Sequence, residues 1–384
     1  MQAKRIEHLS PYLFAEIDRK IEEKRKAGVD VISLGIGDPV EPTPSHIIKK
    51  LCQAVEDPEN HRYPSYYGLS ELREAIASWY KKRFGVELDP SQEILPLIGS
   101  KEGIAHLSVA LLDAGAYCLV PDPAYPVYRT GALLSDGIPH PMPLLRENDF
   151  LPDLEKIDSQ IIKKAKIMFL NYPNNPTGAV ASEEFLSECV KLAEKNGITV
   201  CYDNPYSELT YDGYIAPSFL EIPGGKEIGV EFHSLSKTYN MAGWRIGWVA
   251  GNKKVIDALG RVKTNIDSGI FKAVQYAGIA ALTGPQDCVE EMRAIYRRRR
   301  DKVISAFASI GIEVKKPKGA IYVWAPTPAG YSSESFATHV LEKAGVVVSP
   351  GNAYGSSGEG YIRISLSVKD DRLKEALNRI IELL

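Results

Sequence analysis

The sequence predicts an α/β protein. A mostly parallel sheet is flanked by helices and joined to a smaller α+β unit. Three observations predict it. Strand-length apolar runs alternate with longer amphipathic segments, and strands that are apolar throughout belong to sheets buried on both faces. The C-terminal hundred or so residues break that rhythm with one long charged helix followed by short strands. The length, 384 residues, is more than one hydrophobic core usually serves.

The elements justify the class in order. A helical pattern from Pro11 to Gly28 precedes "VISL" at Val31. Further strand candidates are "ILPLI" at Ile94, "YCLVP" at Tyr117, "KIMFL" at Lys166, "ITVCY" at Ile198, "IGVEFHSL" at Ile228 and "RIGWVA" at Arg245. Helical patterns such as "SELREAIASWYKKRFG", "SEEFLSECVKLAEKNG" and "KKVIDALGRVK" lie between them. The tail runs from "DCVEEMRAIYRRRRDKVISAFASIG" through "AIYVW", a helix near "SSESFATHVLEKAG", "VVV" and "YIRISLS" to a final helix. The expected division is an N-terminal arm and helix over 1–45 packing with the small domain, a large domain over 46–286 and the small domain over 287–384. The run Arg297–Arg300 reads as a solvated helix face.

Composition narrows the function. Hydrophobic residues make up 44% and charged residues 25%, ordinary values for a globular protein. A formal net charge of -3 gives no general attraction for nucleic acid or an anionic membrane. No apolar run approaches the ~18 residues of a membrane span, and the N-terminus lacks a signal-peptide pattern. The five cysteines are scattered with no C-x-x-C pair. That favours reduced thiols and a cytoplasmic setting, without a disulfide framework or a zinc site.

Four segments follow strand candidates, where open parallel sheets bind ligands. In "IGSKEGIAH", Gly99-Ser100-Lys101 opens a helix whose free N–H groups suit a phosphate or simply carry a capping serine. In "NYPNNPTGA", Asn175 sits in a rigid Pro-Gly turn, able to aim its amide at a ligand. In "ITVCYDNPY", a buried strand delivers Asp203, costly there unless it meets a cation, with Tyr206 beyond it. In "EFHSLSKTYNMAGWRIGWVAG", Lys237 lies among small hydroxyls, a place for an amine nucleophile once its pKa falls.

Taken together and in this order, "GSKEGI", "NYPNNPTG", "YDNPY" and "SLSKTYNMAGWRIGW" resemble the class I/II aminotransferases of pyridoxal-phosphate fold type I, over essentially the whole chain. Within that family, "PYLFAEIDRK", "DVISLGIGDPVEPTP", "YPSYYGLSELREAIA", "VPDPAYPVY" and "KTNIDSGIFKAVQ" are similar to the LL-diaminopimelate aminotransferase branch. The resemblance implies pyridoxal 5′-phosphate as cofactor. Lys237 would bond to its aldehyde and later move the α-proton. Asp203 would pair with the ring nitrogen, and Tyr206 and Asn175 with the ring oxygen. Ser100, Lys101, Ser234 and Arg245 match phosphate-binding positions, and Tyr125 matches the residue that stacks on the ring. Tyr63 matches a tyrosine reaching the neighbouring subunit's phosphate, so the resemblance implies a homodimer with shared sites. Asn265 is expected near the partner as well.

For substrate, the resemblance puts the α-carboxylate on Arg363, with the Gly37 backbone and Asn175 beside it. Tyr12, Lys101 and Tyr128 are candidates for the far end. Where related enzymes place a glutamate for a distal ammonium, this chain has Tyr66 and Tyr67, which leaves Glu41, Glu71 or Glu102 as substitutes. The activity implied is transfer of an amino group between LL-diaminopimelate and 2-oxoglutarate in lysine biosynthesis. The same fold also serves broad-specificity alanine, aspartate or aromatic aminotransferases and C–S β-lyases. A cofactor-binding sensor would need an added DNA-binding unit, for which the chain has no evident segment.

Overall fold

The computed structural model describes residues 3–7, 9 and 13–384. Its strands, in chain order, are β1 (Ile32–Ser33), β2 (Ile94–Leu97), β3 (Tyr117–Asp122), β4 (Ile138–Pro143), β5 (Ala165–Asn171), β6 (Thr199–Asp203), β7 (Gly229–Ser234), β8 (Gly247–Gly251), β9 (Tyr322–Pro326), β10 (Val346–Val347), β11 (Ser349–Pro350) and β12 (Tyr361–Ser365). Seven of them form one sheet in the order β2-β8-β7-β6-β5-β3-β4. The run from β7 to β4 is parallel, and β8 lies antiparallel to both β7 and β2.

Continuous apolar strands are explained by burial on both faces. Along β5, Ile167 and Phe169 join the core on one side, while Met168 and Leu170 join the core on the other. A strand alternates its side chains between faces, so two buried faces confine polar residues to the strand's ends, here Lys166 and Asn171. One strand escapes the sequence pattern. β4 reads "IPHPMP", with Pro139, Pro141 and Pro143 at alternate positions. Among the described residues it pairs with β3 alone, and a strand hydrogen-bonded on one side tolerates missing donors on the other.

A second core gathers β9, β12 and the helices Asp287–Ser309, Ser333–Ala344 and Asp370–Leu383. There β11, β12 and β9 form an antiparallel sheet. The "VISL" strand departs from expectation, since β1 pairs in parallel with β10 and stays outside the large sheet. The second core also takes in Leu34, Tyr206, Leu209 and Tyr211, so the two units are stitched together around the ends of β1 and β6.

The arginine run is corrected by the structure. Arg299 and Arg300 are 2% and 0% exposed. Arg299 meets Glu41 at 2.5 Å and Asp370 at 3.3 Å, and Arg300 meets Asp212 at 2.7 Å and Asp301 at 2.8 Å. Most of these carboxylates come from distant segments, so the local charge pattern could not reveal that half of the run faces inward. All five cysteines are free thiols, and no helix among the described residues is long and apolar enough to cross a membrane.

Candidate active site

The strand ends bring the predicted residues together. Asp203 ends β6, and Ser234 ends β7 and leads into the short turn of helix Leu235–Thr238 that carries Lys237. Beyond β2, Gly99 precedes the helix Ser100–Leu111. Arg363 on β12 and Tyr322 on β9 close the opposite wall. The cavity between them measures about 330 Å³. A roomier cleft of about 670 Å³ opens beside Arg83, Glu208 and Arg293, but these charges pair with one another.

Lys237 donates from Nζ to the Gly37 carbonyl. Burial lowers its pKa from the usual lysine value, because a desolvated ammonium is penalised. Asp203 lines the same cavity. Its Oδ2 accepts a 2.7 Å hydrogen bond from the Tyr128 hydroxyl, and its backbone carbonyl accepts from Asn171 Nδ2 at 2.7 Å. Oδ1 is buried without a hydrogen-bond partner among the described residues. Burial raises this carboxyl from 3.8 to about 7, with the Tyr128 bond acting in the opposite direction. A buried oxygen with no partner invites a donor, and a ring N–H or N–H⁺ is the kind that would restore the charge.

Next to it the backbone forms a cradle. Gly99 has φ +80°, and a Cβ there would lie 2.1 Å from the Arg245 guanidinium. Arg245 is itself left-handed, at φ 55°, and donates to the Ala242 carbonyl at 2.8 Å. The guanidinium therefore lies against the start of a twelve-residue helix, where free N–H groups and the dipole favour an anion. The Ser234 and Ser100 side chains border the same space. The donor set suits a ligand with a basic ring nitrogen and a phosphate.

On the other wall Arg363 is almost fully buried. It donates 2.8 Å to Asn175 Oδ1 and 2.5 Å to the Gly35 carbonyl, with its guanidinium 4.1 Å from the centre of the Tyr322 ring. Asn175 is placed by Asn171, whose Oδ1 accepts from the Asn175 backbone N–H at 2.8 Å.

Gly37, Ser100, Lys101, Tyr125, Asn175, Asp203, Tyr206, Ser234, Lys237, Arg245 and Arg363 all line this cavity. Tyr63 does not. It is 86% exposed within one chain. Asn265 is exposed too, and Tyr12 falls outside the described residues. Tyr128, a candidate for the far end of the substrate, is instead fully buried behind Asp203. Glu41 is engaged by Arg299, Glu102 contacts His106 and Lys263, and Glu71 accepts from the Ser70 hydroxyl. The sequence reading missed Tyr322, Ser236 and Asn171 as lining residues. Ser236 and Asn171 lie inside "SLSK" and "NYPNNP" and were within reach of it, whereas Tyr322 carries no local signal.

The comparisons with known proteins agree with this geometry. The model of the family described as aminotransferase class I and II matches residues 29–380. The chain belongs to the class I and II aminotransferases. This aminotransferase is 57% identical over 379 residues to the LL-diaminopimelate aminotransferase of Moorella thermoacetica, covering 99% of this chain and 97% of that one. It is 56% identical over 380 residues to that of Desulforudis audaxviator, again covering 99% and 97%. Among solved structures it is similar to substrate-bound BacF from Bacillus subtilis, with TM-score 0.96, 39% identity and coverage of 100% and 98%. The fold is the pyridoxal-phosphate fold type I of the class I and II aminotransferases, as expected from the sequence.

Proposed function

We propose that this aminotransferase uses pyridoxal 5′-phosphate to move an amino group from LL-diaminopimelate to 2-oxoglutarate, a step in lysine biosynthesis. The substrate assignment is carried by one observation, the 50–57% identity over nearly the whole chain to relatives bearing that activity as their name. Asp203 would hold the cofactor's ring nitrogen through Oδ1. Ser100, Lys101, Ser234, Arg245 and the helix start at Gly99 would hold its phosphate. Tyr125 would cover the ring, and Tyr206 and Asn175 would donate to its oxygen. When bound, the cofactor supplies an aldehyde that takes up the amino group and a ring that spreads the charge left at the α-carbon.

The chain's own residues do the rest. Lys237 Nζ would take the proton from the donor's α-carbon and, in the second half of the reaction, deliver one to the α-carbon of the incoming 2-oxo acid. The downward shift that burial gives the Lys237 pKa favours the neutral amine that a base requires. Arg363 grips the α-carboxylate in a planar, two-point fashion, and Asn175 holds the guanidinium in register. Because Arg363 sits on the small antiparallel sheet, carboxylate binding draws that sheet onto the site and excludes water. The functional unit is a homodimer, with Tyr63 of each chain completing the neighbour's phosphate site.

The test is turnover with single donors. Glutamate formed from 2-oxoglutarate is measured with LL-diaminopimelate, the meso isomer, alanine and aspartate. Turnover with the LL isomer and none with the meso isomer is expected. Turnover with alanine or aspartate, and none with LL-diaminopimelate, would remove the substrate assignment and leave the family standing.

A further inference from the structure

Tyr322 touches three groups of the site at once. It lies on β9, where it pairs with Ser365 of β12, and Arg363 pairs with Trp324. Residues opposite one another, and residues two apart, share a face of an antiparallel ladder. Tyr322 and Arg363 therefore point the same way. The Arg363 guanidinium rests 4.1 Å from the ring centre of Tyr322. The Tyr206 hydroxyl donates to the Tyr322 oxygen at 3.2 Å, with the two rings edge to face. The same oxygen packs on Gly37, where an added Cβ would lie 2.1 Å from it, and the Gly37 carbonyl receives Lys237.

A phenol has one proton to donate. Here Tyr206 gives its proton to Tyr322, and not to the cavity where a cofactor oxygen would sit. The charged and titratable groups acting on this pair are Arg363, Lys237 and Asp203, with Tyr296 also facing Tyr322, while Asp38 and Arg245 act on Lys237. Burial pushes the Tyr322 phenol up. Arg363, Lys237 and the hydrogen bond from Tyr206 together pull it down further than burial raises it, so its oxygen is the better acceptor of the two. Burial and the neighbouring Tyr322 push Tyr206 up, which keeps it the donor.

We propose that Tyr322 is a positioning residue that makes the direction of the Tyr206 proton depend on charge at Arg363 and Lys237. With no substrate carboxylate on Arg363 and with Lys237 protonated, Tyr322 accepts and Tyr206 points away from the cavity. A substrate carboxylate on Arg363 cancels one charge, and a neutral Lys237 removes the other. Tyr322 then donates to Tyr206, whose proton turns into the cavity. Only hydrogen bonds reverse, and no covalent bond changes. Occupancy at the carboxylate end is thereby reported to the cofactor end. This rests on the aminotransferase reading of the site.

Two variants separate the oxygen from the ring. Tyr322→Phe keeps the platform under Arg363 and deletes the acceptor. Tyr322→Leu deletes both. The readouts are the pH midpoint of the bound cofactor's visible absorbance, with and without saturating succinate as an unreactive dicarboxylate, and the succinate dissociation constant by calorimetry. In Tyr322→Phe the succinate-free midpoint is expected to fall by roughly one pH unit, because Tyr206 then donates undividedly to the cofactor oxygen and favours its anion. The succinate-induced change in midpoint shrinks, while affinity stays within about threefold of the parent. In Tyr322→Leu affinity falls about tenfold, the loss expected when a buried guanidinium loses its aromatic face. Unchanged midpoints in Tyr322→Phe, or equal loss of succinate binding in both variants, would reduce Tyr322 to a packing residue and overturn the proposal. Parent turnover is measured alongside. Its absence would sink the aminotransferase reading, whereas the midpoint needs only bound cofactor and decides Tyr322 by itself.

Discussion

Asp203 concentrates the chemistry of this site in one oxygen. Its folded pKa of about 7 lies above the ordinary 3.8, so without a partner at Oδ1 the folded chain binds a proton that the unfolded chain has released. Stability of the cofactor-free protein therefore falls as pH rises from about 4 to about 7, by about 4 kcal/mol in total. Asparagine has no such titration. Thermal melts of cofactor-free parent and Asp203→Asn should diverge with pH across that window, the variant gaining on the parent. Parallel curves would mean that Oδ1 already has a cation. Lys237 makes the complementary prediction. Lys237→Arg keeps a cation that cannot give up its proton, so turnover should drop by roughly 10²–10⁴-fold or more with the fold intact by circular dichroism. Retained turnover would assign the α-proton to another base.

At the scale of elements, function depends on backbone that only certain residues permit. Gly99 has a positive φ and no room for a side chain against Arg245. Gly99→Ala puts a side chain at φ 80°, ψ 148°, a region that glycine all but monopolises, at ~1–3 kcal/mol, and pushes the guanidinium off the helix start. Cofactor affinity should weaken about tenfold or more by equilibrium dialysis, and an unchanged affinity would remove Arg245 and this cradle from phosphate binding. The buried half of the arginine run is structural. Arg299→Ala removes the cation from partly exposed Glu41 while Asp370 keeps Arg298 and Lys302, and losing such charge-assisted hydrogen bonds costs ~1–3 kcal/mol. A urea midpoint unchanged by the substitution would show that these pairs contribute nothing. These elements also mark what the sequence could reveal. Strands ending in Asp203 and Ser234 were legible because both faces of the sheet are apolar, and Lys237 because it follows such a strand among hydroxyls. β4 was not, since its prolines mimic a loop and only its edge position admits them. Arg299, Tyr128 and Tyr322 were not, because their partners are far away in the chain and nothing local distinguishes a buried arginine or tyrosine from an exposed one.

The whole molecule is larger than one chain if Tyr63 has the role proposed. In a single chain it is 86% exposed and stands outside the cavity. It is not alone. Tyr66, Tyr67, Ile266 and Phe271 are exposed as well. Gly269 packs against Ser65 and Pro64, and the rings of His61 and Phe271 lie 6.4 Å apart, so these residues border one surface. Exposed apolar patches of this kind mark association sites. A symmetric dimer would cover the patch and carry each Tyr63 toward the partner's Arg245 and Ser234. Sedimentation should therefore give a dimer, but the sharper test is complementation. Lys237→Ala alone lacks the base, and Tyr63→Ala alone lacks the donated hydroxyl. In a hybrid dimer of the two, one site inherits both defects and the other inherits neither. Random mixing makes half the dimers hybrid, each with one intact site, so activity should recover to about a quarter of the parent value. Recovery requires that Tyr63 act across the interface. If Tyr63 served its own chain's site, every hybrid site would carry one defect, and mixing would leave activity at the average of the two variants.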